Sequence, residues 1–198
     1  MSRVSAGKSV LWAALAVPAL FALYRYATTP AIWPGDLLHP TGEWSARFLI
    51  IALMLTPLAQ LLPDSRAVKW LVRHRRAFGV AAFAYAVLHL VFYVLDMDTV
   101  SAMLAEIGAP AIWTGWLALL CLVPPTAASS DAAMRLLRRN WKRVQRLVYP
   151  AAILTLAHWL LVHDGKVSAL VHFAPLILLQ ALRLARHFHR PPTERKIA

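Results

Sequence analysis

Cysteine is almost missing from this sequence. Its one example, Cys121, excludes an intramolecular disulfide, a thiolate zinc site and an iron–sulfur cluster built by this chain alone. No C-x-x-C-H run occurs, so any haem would be held without covalent attachment. Acidic residues are scarce as well, nine Asp and Glu against 21 Lys and Arg, for a formal charge of +12. In a soluble chain that excess would suggest nucleic acid. Here the basic residues are confined to short stretches between apolar runs, which leaves no basic surface for it. Glycine is sparse, seven in 198 residues, and forms no phosphate-cradling loop. No internal repeat and no low-complexity linker stand out, so the sequence predicts one domain spanning 1–198.

What the chain has instead is apolar length. Hydrophobic residues make up 60% of it and charged ones 15%, with a mean hydropathy of +0.56, whereas soluble domains carry about 25% charged residues. Six apolar segments emerge, at roughly 9–27, 45–62, 78–95, 108–124, 147–163 and 167–182. Each is close to the ~20 residues a helix needs to cross a hydrocarbon core. The fourth is weak, with Pro110, Gly115 and the Pro124-Pro125 pair. Pro18, Pro57 and Pro175 lie inside other segments, where a bundle can absorb the kink. The start, MSRVSAGKSVLWAALAVPALFAL, has the outline of a signal peptide, but Tyr24, Arg25 and Tyr26 follow it in place of a small-residue cleavage site. It is expected to be a retained first span. The predicted fold class is therefore all-α, an integral membrane bundle of six helices.

Orientation follows from charge. Lys and Arg at the N-terminus, after the second and fourth segments and in the tail number 18, against three (Arg25, Arg47 and Lys166) on the opposite side. That asymmetry predicts both termini in the cytoplasm, and Asp36, Glu43, Asp96, Asp98, Glu106 and Asp164 outside.

The third segment, FGVAAFAYAVLHLVFYVL (Phe78–Leu95), carries no formal charge and a single histidine, His89. An imidazole at that depth needs a partner inside the protein. His158 lies 11 residues after Leu147, just as His89 lies 11 after Phe78, and both helices run outward. The two rings are thus expected at matching depth, past the midplane. Two neutral imidazoles on facing helices are what a b-type haem needs. Helical spacing surrounds His89 with Ala82, Tyr85, Ala86, Phe92 and Tyr93, and His158 with Ala151, Leu154, Thr155, Leu161 and Val162. The same residues also suit a proton or metal pathway, or two histidines packed against carbonyls, and spacing leaves these open. Haem propionates want basic partners, and Arg25 and Arg47 are the candidates, with snorkelling to the interface as their alternative role. His74, His187 and His189 belong to the basic cytoplasmic side. His39, His163 and His172 map to the outer rim, where they could cap a haem edge, meet a partner or rest in the interface. No catalytic acid, base or nucleophile is evident.

Four stretches carry a resemblance: HPTG at His39–Gly42, LTPLAQLLP at Leu55–Pro63, RHRRAFGVAAFAYAVLHLVFYVL at Arg73–Leu95 and WKRVQRLVYPAAILTLAHWL at Trp141–Leu160. In order and placement they resemble the MsrQ (YedZ) family, haem-binding membrane subunits of periplasmic methionine-sulfoxide reductase systems. They are similar, more distantly, to the ferric-reductase-like transmembrane domain of NADPH oxidases and iron reductases. The resemblance implies that His89 and His158 ligate haem b in a bacterial inner membrane. It also implies an FMN, electrons drawn from the quinone pool, and a periplasmic molybdenum-containing reductase subunit (MsrP-like) that performs the final catalysis. The family usually reads W-x-x-L-H-x-x-x-Y where this chain has Gln145 in place of the histidine. In relatives with two stacked haems that histidine would serve the inner one, so one haem is expected here, with His74 the conceivable substitute ligand. The arginines of 73–76 and 138–146 are candidates for an FMN phosphate but read better as topology signals. A stand-alone membrane ferric reductase would need a cytoplasmic flavin domain for which six helices leave no room. A proton-coupled carrier using His89 and His158 is the reading from another class.

Overall fold

A computed structural model describes residues 3–162 and 166–189. In chain order the helices are α1 (Arg3–Thr28), α2 (Leu38–Leu61), α3 (Arg66–Arg73), α4 (Arg75–Met97), α5 (Val100–Glu106), α6 (Pro110–Ala127), α7 (Asp131–Leu137), α8 (Trp141–Gln145), α9 (Val148–Val162) and α10 (Lys166–His189). Six helical stretches are long and apolar enough to cross a membrane: Gly7–Thr28, Pro34–Leu61, Arg75–Met97, Pro110–Ala127, Asp131–Val162 and Lys166–Arg186. They correspond one to one with the expected segments. The clearest difference is at α2, which starts at Leu38 instead of 45, so that His39, Thr41, Gly42 and Glu43 sit on a helix and not in a loop. A single 3-10 turn, Pro34–Leu37, leads into it, and Asp36 accepts from the Trp33 N–H at 2.9 Å.

Four short helices were invisible as apolar segments because they are too brief to span and too polar to bury. Three begin on a side-chain cap that satisfies a first-turn N–H. Ser65 accepts from Val68 in α3, Thr99 from Ala102 in α5 and Ser130 from Ala133 in α7. The strongly amphipathic α3, RAVKWLVR, buries Val68 and leaves Lys69 in the open, the arrangement of a helix lying in the interface. The α3, α7 and α8 helices share one face of the bundle, where Arg76 pairs with Asp131 at 2.8 Å. The other face holds the α1–α2 connection, α5 and the start of α10.

Two antiparallel pairs make the frame, α2 on α4 and α6 on α9; α10 packs against α2 and α9, and α1 leans on α4. In the first pair Leu38 lies opposite His89 and Ser45 opposite Ala82. In the second, Ala111 lies opposite His158, and at the other end of α6 Pro125 meets Gln145 of α8. The closest approaches are made by small residues: Ala46, Ala82, Ala151 and Ala169 are all fully or almost fully buried. In lipid, helix association depends on such close packing, because hydrocarbon offers no hydrophobic drive. Large apolar side chains such as Leu20, Phe21, Ile153, Val171 and Leu178 point outward, as a lipid-facing surface requires.

The peripheral α1 is fastened at its proline. The Tyr85 hydroxyl accepts from the Ala19 N–H at 2.7 Å and donates to the Leu15 carbonyl at 2.8 Å. It is thereby spliced into the rung that would join Ala19 to Leu15, one residue past Pro18. Insertion of a side chain into the ladder is a recognised way for a helix to bend, and here it ties α1 to the helix that carries His89.

Candidate functional site

The frame leaves a cavity between its two pairs, lined by α2, α4, α6 and α9. It has about 930 Å³ of space free of atoms, counted out to its open mouth. Its walls are chiefly apolar, small residues (Ala46 from α2, Ala86 from α4, Gly115 and Ala118 from α6) alternating with large ones (Leu90 from α4, Trp116 and Leu122 from α6, Trp159 from α9). His89 and His158 both face it. Their ring centroids are 6.1 Å apart with planes at 82°.

Each ring is fixed by the same kind of bond. His89 Nδ1 meets the Leu38 carbonyl at 2.9 Å, and His158 Nδ1 meets the Ala111 carbonyl at 2.6 Å. A carbonyl can only accept, so Nδ1 carries the proton in both rings and Nε2 carries the lone pair. That is the tautomer a metal-ligating histidine needs, with its orienting partner in place. An octahedral metal held end-on by two imidazoles sets the ring centroids about 6 Å apart, two bonds of ~2 Å plus the nitrogen-to-centre distance on each side. Among the described residues no group of three or more His, Cys, Asp or Glu is placed to hold a bare metal ion. Two imidazoles are too few for zinc, which takes four ligands. They would suffice for a metal whose remaining ligands come with its own macrocycle. The Trp159 indole N–H, next in sequence to His158, is buried against the cavity with no hydrogen-bond acceptor among the described residues. It suits a group that brings a carboxylate.

On the face opposite α3, a polar cluster borders the cavity. Glu43 lines it, and its carboxylate accepts from Arg47 Nη2 at 2.7 Å; His172 Nε2 and His39 Nε2 lie near it, 3.5 and 3.8 Å away. Arg47 Nε also donates to His172 Nε2 at 3.2 Å, and its guanidinium lies over the Trp44 ring at 4.8 Å. His172 donates from Nδ1 to Ser168 and stacks on Trp159, with centroids 5.1 Å apart. The structure thus brings together His89, His158, His39, His172 and Arg47. Arg25 is elsewhere, on the exposed side of α1 over Phe21, and lines no part of the cavity. His163 lies outside the described residues, as do the side chains of His187 and His189.

Of the residues placed around the histidines by spacing, Ala86, Tyr93, Thr155 and Val162 line the cavity, whereas Ala82, Tyr85, Phe92 and Ala151 pack in the core and Leu161 faces outward. Gln145 donates its amide to the Pro125 carbonyl at 2.9 Å and is not among the cavity residues. His74 donates from Nδ1 to Trp70 in the preceding helix and stacks on that ring.

Sequence reasoning passed over Glu43, although its i±4 spacing to His39 and Arg47 was a readable signal. It also took Gly115 as a weakness of the fourth span. The structure adds a role for it: a Cβ on Gly115 would lie 2.8 Å from His158 Nδ1, so glycine stands where the imidazole comes against α6.

Residues 41–156 match the family described as Ferric reductase like transmembrane component. A protein of Xanthomonas oryzae pv. oryzae (strain MAFF 311018) is 41% identical over 141 residues, 69% of this chain and 63% of that protein. One of Xanthomonas campestris pv. campestris (strain 8004) is 38% identical over 173 residues, 80% of this chain and 77% of that one. A third, from Brucella ovis, is 34% identical over 189 residues, covering 86% and 84%. All three are named protein-methionine-sulfoxide reductase heme-binding subunit MsrQ. The chain therefore spans less than two thirds of the length of the first of these relatives. No solved structure matches.

Proposed function

The chain belongs to the ferric reductase like transmembrane component family, and from that premise we propose that it is the haem-binding electron-transfer subunit of a methionine-sulfoxide reductase system. The observation that carries the reading is the facing pair His89 and His158, 6.1 Å apart across an apolar cavity with both Nδ1 atoms held by carbonyls. The relatives' shared name agrees with it. His89 and His158, whose Nδ1 atoms are held by carbonyls, would hold one haem b through Nε2. When bound, it supplies one-electron oxidation and reduction at iron. Leu38 and Ala111 would orient the ligand rings and the alanines and leucines of the four helices would keep water out; the Trp159 N–H, and Arg47, which reaches the cavity only through its partner Glu43, are the candidate partners for propionates. Gln145, occupied with Pro125, leaves the inner position without the family's second ligand.

Electrons come from membrane quinol or from FMN and leave to a periplasmic molybdenum-containing partner of the MsrP type, which reduces methionine sulfoxide in oxidised periplasmic proteins. The family resemblance supports these donors and this partner. Arg75 and Arg76, candidates for an FMN phosphate, are engaged with Thr56 and Asp131. The chain is one domain in the bacterial inner membrane, both termini in the cytoplasm.

Purification in detergent tests the reading. The protein is expected to be red, with a low-spin Soret spectrum that is lost in His89→Ala and in His158→Ala, and to show one transition in a redox titration. A colourless protein, purified from cells with ample haem, would favour the proton-carrier reading instead.

A further inference from the structure

The two halves of the site repeat one another, atom for atom. On α2, Thr41 Oγ1 donates to the Leu37 carbonyl at 2.6 Å and to the Leu38 carbonyl at 3.1 Å. On α6, Thr114 Oγ1 donates to the Pro110 carbonyl at 2.7 Å and to the Ala111 carbonyl at 2.9 Å. Leu38 and Ala111 are also the carbonyls that receive His89 and His158. In each half a glycine follows the threonine, and the ring lies against it. A Cβ on Gly42 would be 3.1 Å from His89 Nδ1, and one on Gly115 would be 2.8 Å from His158 Nδ1. Both threonines are buried, at 1% and 4% exposure. The carbonyl, the threonine three residues on and the glycine after it therefore recur at identical spacing on two helices, each facing its own histidine from its own antiparallel partner. Sequence inspection finds no repeat here because Thr-Gly is too short a string to register.

The repetition has a chemical consequence. A carbonyl oxygen has two lone pairs. Within the first turn of its helix it already serves the N–H four residues on, and here it also meets an imidazole N–H and the longer branch of a threonine hydroxyl, whose single proton lies closer to the carbonyl one residue earlier (2.6 against 3.1 Å for Thr41, 2.7 against 2.9 Å for Thr114). Sharing weakens each bond. The hold on Nδ1–H sets how strongly Nε2 donates, since a firmer bond raises ligand basicity. We infer that Thr41–Gly42 and Thr114–Gly115 form a duplicated positioning device. The glycines let each ring lie against its helix, and the threonine hydroxyls, by competing for the same carbonyls, limit the donor strength of the two histidines and so raise the potential of the group they hold. This rests on the haem reading above. The four residues are positioning residues, acting through the ligands.

The test uses the full-length protein in detergent. Thr41→Val and Thr114→Val are expected to keep the low-spin spectrum while the midpoint potential moves negative. The double variant should move further, and Thr41→Ser and Thr114→Ser should restore the wild-type midpoint. Gly115→Ala is expected to lose haem or its low-spin signature, whereas Gly79→Ala, whose Cβ would meet nothing within 4 Å, keeps both. A red wild type whose valine variants show an unchanged or more positive midpoint overturns this inference alone, as does loss of haem that serine fails to restore. A Gly115→Ala variant with wild-type spectrum overturns the glycine half. A colourless wild type removes the haem reading itself, and this inference with it.

Discussion

A carboxylate beside a redox centre opposes the arrival of an electron, and on the proposed haem reading Glu43 is such a carboxylate, lining the cavity with 16% of its side chain exposed. Arg47 offsets it from 2.7 Å. Removing one partner should therefore act in opposite directions. Glu43→Gln leaves Arg47 uncompensated and is expected to raise the midpoint potential; Arg47→Leu leaves the carboxylate uncompensated and is expected to lower it and weaken haem retention. At an effective dielectric of ~20 each change is on the order of 1 kcal/mol, some tens of millivolts for one electron. Potentiometric titration of both variants checks the sign. A common direction, or no change in either, would show that the cluster acts by shape and not by charge. The exposed Arg25 should be inert in the same assay, because it lies over Phe21 and not against the cavity.

Among the helices, α1 is the element most dependent on one contact. It buries little, and its Pro18 costs the ladder a rung. Tyr85→Phe removes the hydroxyl that bridges Ala19 and Leu15, leaving a polar pair in the membrane to reform its own bond or stay unmade. The expected loss is about 1–3 kcal/mol, seen as a lower midpoint in thermal unfolding in detergent and as easier proteolysis after α1, with the haem spectrum unchanged. Unaltered stability would mean that α1 closes its own rung. The six spans themselves were legible because crossing hydrocarbon demands unbroken apolar length, a local property of sequence. The depth match of His89 and His158 was legible for a similar reason, since rise per residue converts position into height. The partners that define the site were not. Leu38 and Ala111 act through backbone carbonyls, which every residue has, and Gly115 matters only because α9 brings His158 against it. Tyr85 read as an aromatic neighbour of His89, whereas its hydroxyl points the other way, into α1.

For the whole molecule the remaining question is which way it stands in the membrane. Its two faces differ in charge: α3, α7 and α8 bring Arg66, Lys69, Arg73, Arg135, Lys142 and Arg143 to one of them, whereas α5 and the α1–α2 connection bring Asp36 and Glu106 to the other. Positive charge in short loops is retained in the cytoplasm. On the proposed orientation the cluster of Glu43, Arg47, His39 and His172, which borders the cavity through Glu43 and His39, would face the periplasm, the side on which the proposed electron acceptor would dock. Single cysteines in a Cys121→Ser background decide it. Ser101→Cys, exposed on α5, should react in intact cells with a thiol reagent that cannot cross the inner membrane, and Ala132→Cys, exposed on α7, should react only after permeabilisation. The reverse pattern would put the polar cluster in the cytoplasm and would rule out a periplasmic partner at that face, whatever the haem content. The charge argument also fixes what should happen on inversion of the bias. Replacing Arg66, Lys69, Arg73, Arg75 and Arg76 together with neutral residues is expected to scramble the labelling of both cysteines, since on the proposed orientation those five keep the end of α2 and the start of α4 in the cytoplasm.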